Sequence, residues 1–214
     1  MAGPFTPGLA DWQSLMTSVS SRQWTTPLVN CAKKWPALNA PLHNRMKFQI
    51  LLTDFAEPKT AAWFDGNLQK ICSVAASTAT AAFAWFLHQD DYFRAKAHKV
   101  AHFDCRVFTI PDPIEVENYF IWRQKDAERN SVNMLAQAHA SAKELHGKSI
   151  AQLHDIIHAA GDNWNHHAPS FKRGRIIRLF PELSGWQVDQ ETPRFTLHRK
   201  YLEQLVPRPW TESK

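Results

Sequence analysis

From residue 48 onward, the order of apolar and polar positions divides the chain into strands and helices. Phe48 to Thr53 is a short apolar run closed by Glu57-Pro58, which reads as a buried strand. From about Thr60 to about Leu87 the period is helical, with Trp63, Phe64, Leu68, Ile71, Cys72, Ala75 and Ala79 in one stripe. Ala101 to Ile110 alternates as a strand, with Phe103, Cys105 and Val107 on one face and Asp104, Arg106 and Phe108 on the other. Pro111-Asp112-Pro113 breaks into a long helix from about Ile114 to about Lys143, with Pro113 in its first turn and Gly147 ending the run.

One face of that long helix carries Tyr119, Arg123, Asp126, Asn130, Asn133 and Gln137. Another carries Phe120, Ala127, Ser131, Met134 and Ala138, small and apolar enough to lie against a sheet. Ser149 to Ala159 reads as a shorter helix, with Ile150, Leu153, Ile156 and Ile157 inward and Gly161 at its end. Phe171 to Phe180 reads as a strand, Trp186 to Thr192 as its hairpin partner, and Phe195 to Leu205 as a short helix.

Residues 1–49 show no such pattern. They hold Pro4, Pro7, Pro27, Pro36 and Pro41, with Trp12, Trp24 and Trp35, and read as a loop-rich leader. Five Lys/Arg against the single acidic Asp11 give them +4 of the chain's net +5, so the basic character lies mostly there. At 214 residues the chain is long enough for a real core. Cys31, Cys72 and Cys105 lack paired spacing, and no 18-residue apolar run or secretory leader stands out. The expectation is a reduced, cytoplasmic protein without a membrane segment.

The long helix opens with Tyr-Phe-Ile-Trp-Arg-Gln-Lys-Asp-Ala-Glu-Arg-Asn-Ser (119–131), and Leu-His-Gly-Lys-Ser (145–149) follows it. Upstream stand Ala-Trp-Phe-Asp-Gly-Asn-Leu-Gln-Lys-Ile-Cys-Ser-Val-Ala-Ala-Ser (62–77) and His-Phe-Asp-Cys-Arg-Val-Phe (102–108); downstream stand Asn-Trp-Asn (163–165) and Lys-Arg-Gly (172–174). Over roughly Leu51 to Leu179 this wording resembles the tRNA(His) guanylyltransferase family, in its bacterial and phage-like branch of 3′-5′ polymerases. The resemblance implies an α+β fold: a ferredoxin-like palm of the polymerase and cyclase type, with a C-terminal helical and β-hairpin extension. The domain reading is leader 1–49, remainder of the palm 50–145 and C-terminal domain 146–214. It also implies a homotetramer that uses Mg2+ with GTP or ATP to add nucleotides to the 5′ end of tRNA, in maturation or 5′-end repair.

The family presents its metal-binding carboxylates in Asp-Gly-Arg-x-Phe-His and Ser-Asp-Glu, just before a strand matching Ile50 to Phe55. Here those positions read Asn44-Arg45-Met46-Lys47-Phe48-Gln49. Codons for that stretch, read from the third base of the preceding codon, admit Gln-Ser-Asp-Glu-Ile-Ser. The same offset at Met1 to Phe5 admits Asp-Gly-Arg-Ala-Phe-His, and at Gln13 to Thr17 it admits Lys-Pro-Tyr-Asp. The expectation is that residues 1–49 are an out-of-frame translation of the catalytic segment, so that no catalytic residue or metal ligand is intact and the chain is inactive. The alternative is a non-catalytic remnant that binds tRNA or a partner subunit.

The candidate nucleotide- and tRNA-binding residues are Arg106, Arg123, Asp126, Asn130, Lys172 and Arg173, because forked donors suit phosphate oxygens and lysines suit an RNA backbone. Glu128 and Ser131 stand where eukaryotic members have His and a second Asn, which puts strict tRNA(His) choice in doubt. His154 and His158 lie four residues apart without further ligands at a zinc spacing. Lys148-Ser149 after Gly147 lacks the first glycine and the strand of a P-loop.

Overall fold

The computed structural model describes residues 47–52, 61–89, 102–180, 185–189, 191–206 and 208. The expectations for residues 1–46 lie outside that set. Two compact units emerge among the described residues, one from 69–106 with 177–188, the other from 47–68 with 107–176 and 189–208.

α1 (Leu68–Gln89), in the first unit from Gln69 on, follows in the chain a short 3-10 turn at Trp63–Gly66, so Trp63 and Phe64 do not belong to its stripe. Phe64 and Asp65 have φ of 50° and 52°, a left-handed step that interrupts any helix there. Among the described side chains of α1, Ile71 and Ala82 are buried. Phe103 docks on it, its N–H donating to Thr80 Oγ1 at 3.3 Å and its ring meeting Phe83 edge-on at 5.6 Å.

Residues 102–110 belong to no strand, nor do 47–52, where Ile50 is 44 % exposed rather than buried. The alternation read from residues 102–108 survives nonetheless: Phe103, Cys105 and Val107 are half-buried, while Asp104, Arg106 and Phe108 are exposed. Alternation orients side chains locally, but a strand also needs a neighbouring backbone to pair with. Among the described residues the sheet is two-stranded, β1 (Ile176–Phe180) beside β2 (Gly185–Asp189). The described residues form a mixed, helix-rich fold with one small sheet.

The second unit is built on α2 (Pro113–His139). Asp112 accepts the Ile114 N–H at 2.8 Å, and Pro113 occupies a position that needs no donor. The helix ends four residues earlier than the periodicity predicts. Ser141 starts a separate turn, α3 (Ala142–Leu145), through a reciprocal capping box with Glu144. Ser149 and Gln152 form a second capping box that starts α4 (Ile150–Ala159).

Gly161, at φ 83°, ends α4 in a left-handed turn. Its N–H reaches His158 O at 3.0 Å while the Asp162 N–H reaches Ile157 O at 3.1 Å, the two bonds of a Schellman cap. Residues 169–173 form the helix α5 (Pro169–Arg173) rather than the start of a strand, and Gly174 at φ 79° separates it from β1. The last short helix is α6 (Arg199–Glu203).

Val132, Leu135 and Ala136 of α2 meet Leu153 and Ile157 of α4 and Trp164 in one apolar cluster, flanked by Leu145 and Phe171. The face of α2 that enters this packing differs from the periodicity reading. Val116, Glu117, Gln124, Ser131, Val132, Leu135 and Ala136 are buried, whereas Ala138 is exposed and Phe120, Ala127 and Met134 are half-buried. Glu117, Gln124 and Ser131 share the buried side with Val116, Val132, Leu135 and Ala136, because the neighbours of α2 here are helices and loops carrying their own polar groups.

Asp162 ties the end of α2 to the loop beyond α4. His139 Nε2 lies 3.0 Å from one carboxylate oxygen and His167 Nε2 lies 3.1 Å from the other. The His139 hydrogen bond foremost, then the Asn163 N–H and His167, hold the Asp162 carboxyl at about 2, below its ordinary 3.8. Stability from this depression is present above pH ~4 and lost as the pH falls towards ~2. Acid titration followed by tryptophan fluorescence should therefore show a transition in that window, and D162N should flatten it. Ile157→Ala is expected to cost about 2–5 kcal/mol in urea unfolding, against a much smaller loss for Ile150→Ala at a position 37 % exposed.

Candidate functional site

Arg123 and Asp126 lie one turn apart on α2 and form the centre of a charged cluster. Arg123 Nη1 and Lys47 Nζ each donate to Asp126 Oδ2 at 3.1 Å, and Arg129 Nη2 donates to Oδ1 at 3.4 Å. Arg123 Nε donates to Gln49 Oε1 at 2.8 Å, and its guanidinium carbon lies 5.0 Å from the Trp122 ring centre. The Arg123 and Asp126 side chains are mostly buried, at 12 % and 16 % exposure, while those of Lys47 and Arg129 are open at 43 % and 59 %.

Partial burial pushes the Asp126 carboxyl up. The Lys47 hydrogen bond and the charges of Lys47, Arg123 and Arg129 outweigh it, so the group sits below its ordinary value. Three cations around one carboxylate leave an excess of positive charge. An ammonium carries three donors and a guanidinium five, so Lys47 and Arg129 keep capacity for phosphate oxygens. Asn130, exposed, follows one turn beyond Asp126. Arg106 belongs to the first unit and pairs with Asp104 at 3.5 Å, both more than 80 % exposed.

This chain is similar to two solved structures of bacterial tRNA(His) guanylyltransferase-like protein. One, in complex with ATP, is 39 % identical with a TM-score of 0.64, and the match covers 72 % of this chain and 65 % of that one. The other, in complex with GTP, is 36 % identical with a TM-score of 0.55, covering 72 % of this chain and 62 % of that one. The chain belongs to the tRNA(His) guanylyltransferase family. It spans less than two thirds of the length of these relatives. No protein-family model matches it, and no curated protein does.

Two positions at which the family's wording changes in this chain have internal partners. Ser131 accepts the Trp164 Nε1–H at 2.9 Å and donates to Glu128 O at 2.7 Å. The Glu128 carboxylate receives Arg173 Nε at 3.3 Å and Arg194 Nε at 3.5 Å. Of the two basic residues expected to meet RNA, Lys172 is buried at 9 % exposure, donating to Asn165 O at 2.7 Å, with its ammonium 5.3 Å from the Trp164 ring centre. Burial lowers its pKa first, with Arg173 and Arg194 adding to the effect. Arg173 is half-buried between Glu128 and the Thr192 carbonyl, which its Nη1 reaches at 3.3 Å.

Sequence reasoning missed the partners farther along α2. Glu117, 1 % exposed, receives Arg199 Nε at 2.8 Å and Arg208 Nη2 at 2.7 Å. Gln124 donates to Pro193 O and accepts the Phe195 N–H, both at 2.8 Å. Glu117, Gln124 and Ser131 recur every seven residues. That spacing was the available signal, but polar residues at a buried period look like a solvated face until their partners are known.

A family magnesium site does not fit these residues. Both Asp126 oxygens are held by cationic donors, and a divalent ion there would sit among three positive charges. Among the described residues, no group of three or more His, Cys, Asp or Glu side chains could hold a metal ion. Lys172→Ala, which leaves the Asn165 carbonyl and the Trp164 face without their partner, is expected to cost about 1–3 kcal/mol in unfolding. Arg106→Ala, at an exposed pair, should stay within about 0.5 kcal/mol, and the two melting curves report the contrast.

Proposed function

We propose that the chain derives from a 3′-5′ nucleotidyltransferase that adds nucleotides to the 5′ end of tRNA, and that in its present form it binds nucleotide and RNA without transferring. The family's reaction joins the 3′-hydroxyl of an incoming nucleoside triphosphate to an activated 5′ phosphate of RNA. The observation that carries the reading is the Arg123–Asp126–Arg129 cluster, which lies in the Trp-Arg-Gln-x-Asp wording of the family and keeps donors on Arg129 for phosphate oxygens. The solved relatives hold ATP and GTP, which supports a triphosphate as its ligand.

Arg123 and Asp126 are the orienting pair in this reading, with Asn130 and Arg106 as further phosphate or tRNA contacts. Lys172 and Arg173 support the site by fastening the chain to α2. The palm architecture of 50–145, the C-terminal domain of 146–214 and a homotetramer are part of the proposal. So is the out-of-frame origin of 1–49, a stretch with Asp11 as its single acidic residue. The magnesium implied by the resemblance has no fitting ligands among the described residues, and no step is assigned to it.

An addition assay on a 5′-truncated tRNA tests the reading. The 214-residue chain should add nothing, and a version whose residues 1–49 are replaced by the frame-corrected segment should add nucleotides. Addition by the uncorrected chain contradicts its inactivity; silence of both counts against the out-of-frame origin of 1–49 and leaves binding without transfer standing. By calorimetry, Arg123→Ala should weaken ATP or GTP binding about tenfold, the loss of one charge-assisted hydrogen-bonding group.

A further inference from the structure

Beside the charged cluster, the second unit exposes a run of aromatic rings that the proposed chemistry does not use. Phe108 and Trp122 are 56 % and 55 % exposed, unusual for large rings that lie so close to one another's neighbours. Tyr119 joins them, edge-on to Phe108 at 5.3 Å and tilted to Trp122 at 5.9 Å between ring centres. Arg123 lies over the Trp122 ring at 5.0 Å, in cation–π contact. The result is a surface of flat apolar rings that continues into a cluster with Lys47, Arg123 and Arg129 against Asp126.

We propose that Phe108, Tyr119 and Trp122 form a stacking platform for unpaired nucleobases of an RNA strand, whose phosphates meet the adjoining cations. Each base has a π face that can stack on an aromatic ring, and each phosphate carries a negative charge that a nearby cation attracts. Interleaved rings and positive charge are therefore the complement of a single strand. A base pair inside a duplex offers neither face, so the platform selects strand ends and overhangs. Lys47 and Arg129 are the open cations that meet the phosphates, and Arg123, held between Gln49 and Asp126, covers one side of the Trp122 ring. A second copy of this chain would also cover apolar rings, but the excess positive charge beside them favours a polyanion.

The inference rests on the RNA-binding part of the proposed function and not on catalysis, so its test reads binding alone. Fluorescence anisotropy at one fixed salt concentration compares a labelled short single-stranded oligoribonucleotide, a blunt RNA duplex and ATP. Trp122→Ala and Phe108→Ala should each weaken the single strand about tenfold, within the range measured for loss of one stacking ring. Duplex and ATP affinity should change less than twofold. Trp122→Phe keeps a ring and should recover most of the binding, which separates stacking from misfolding.

Unchanged single-strand affinity in Trp122→Ala, or no single-strand binding by the parent chain, overturns the platform. An equal loss on duplex and single strand does so as well. If Trp122→Ala instead turns an oligomer into a smaller species in sedimentation while RNA affinity holds, the face belongs to a subunit interface. Failure of nucleotide addition in the frame-corrected version would leave these outcomes readable, because none depends on turnover.

Discussion

The second unit depends on the polar seam buried along α2. Glu117, Gln124, Glu128 and Ser131 follow one side of the helix, and each is joined to chain that comes much later in sequence. A carboxylate as buried as Glu117 is stable only with its charge matched, and two guanidiniums supply that match. Gln124 meets a carbonyl and an N–H that lack regular secondary structure to satisfy them. The seam thus does two things at once. It satisfies a loop-rich C-terminal segment, and it sets the rotation of α2 about its own axis.

That rotation decides what α2 presents elsewhere. With the seam turned inward, Arg123 and Asp126 fall on a partly open side and are held by Lys47, Gln49 and Arg129. Trp122 is more open still. The apolar cluster of Val132, Leu135, Ala136, Leu153, Ile157 and Trp164 supports the C-terminal half of the helix, and Trp164 links it to the seam through Ser131. Packing and polar pairing therefore select the same orientation, which is what gives a site on a long helix its precision.

Glu128 and Ser131 illustrate why a change of wording inside a family motif needs a structure to interpret. Read as sequence, they weaken an expectation about which tRNA is recognised. In the fold they hold Arg173, Arg194 and Trp164, so their identity is tied to how this chain packs its own C-terminal segment. Lys172 and Arg173 carry the same lesson from the other side. Their charge suggested RNA contact, but the energetic cost of burying an ammonium or guanidinium is met here by internal acceptors.

The sequence by itself determined where α2 and α4 begin and where α4 ends, because capping residues, proline placement and the 3.6-residue period act over a few residues: Asp112-Pro113 starts α2, Ser149 starts α4 and Gly161 ends it. It determined the alternation of residues 102–108 for the same local reason, and through the wording of 119–131 it determined the family. Only the tertiary structure decided which face of α2 is buried, since the partners of Glu117 and Gln124 lie roughly seventy to ninety residues away in the chain. It also decided that residues 47–52 and 102–110 form no strand and that Lys172 faces inward. Pairing of backbones and of charges is a relation between distant segments, and no local pattern contains it.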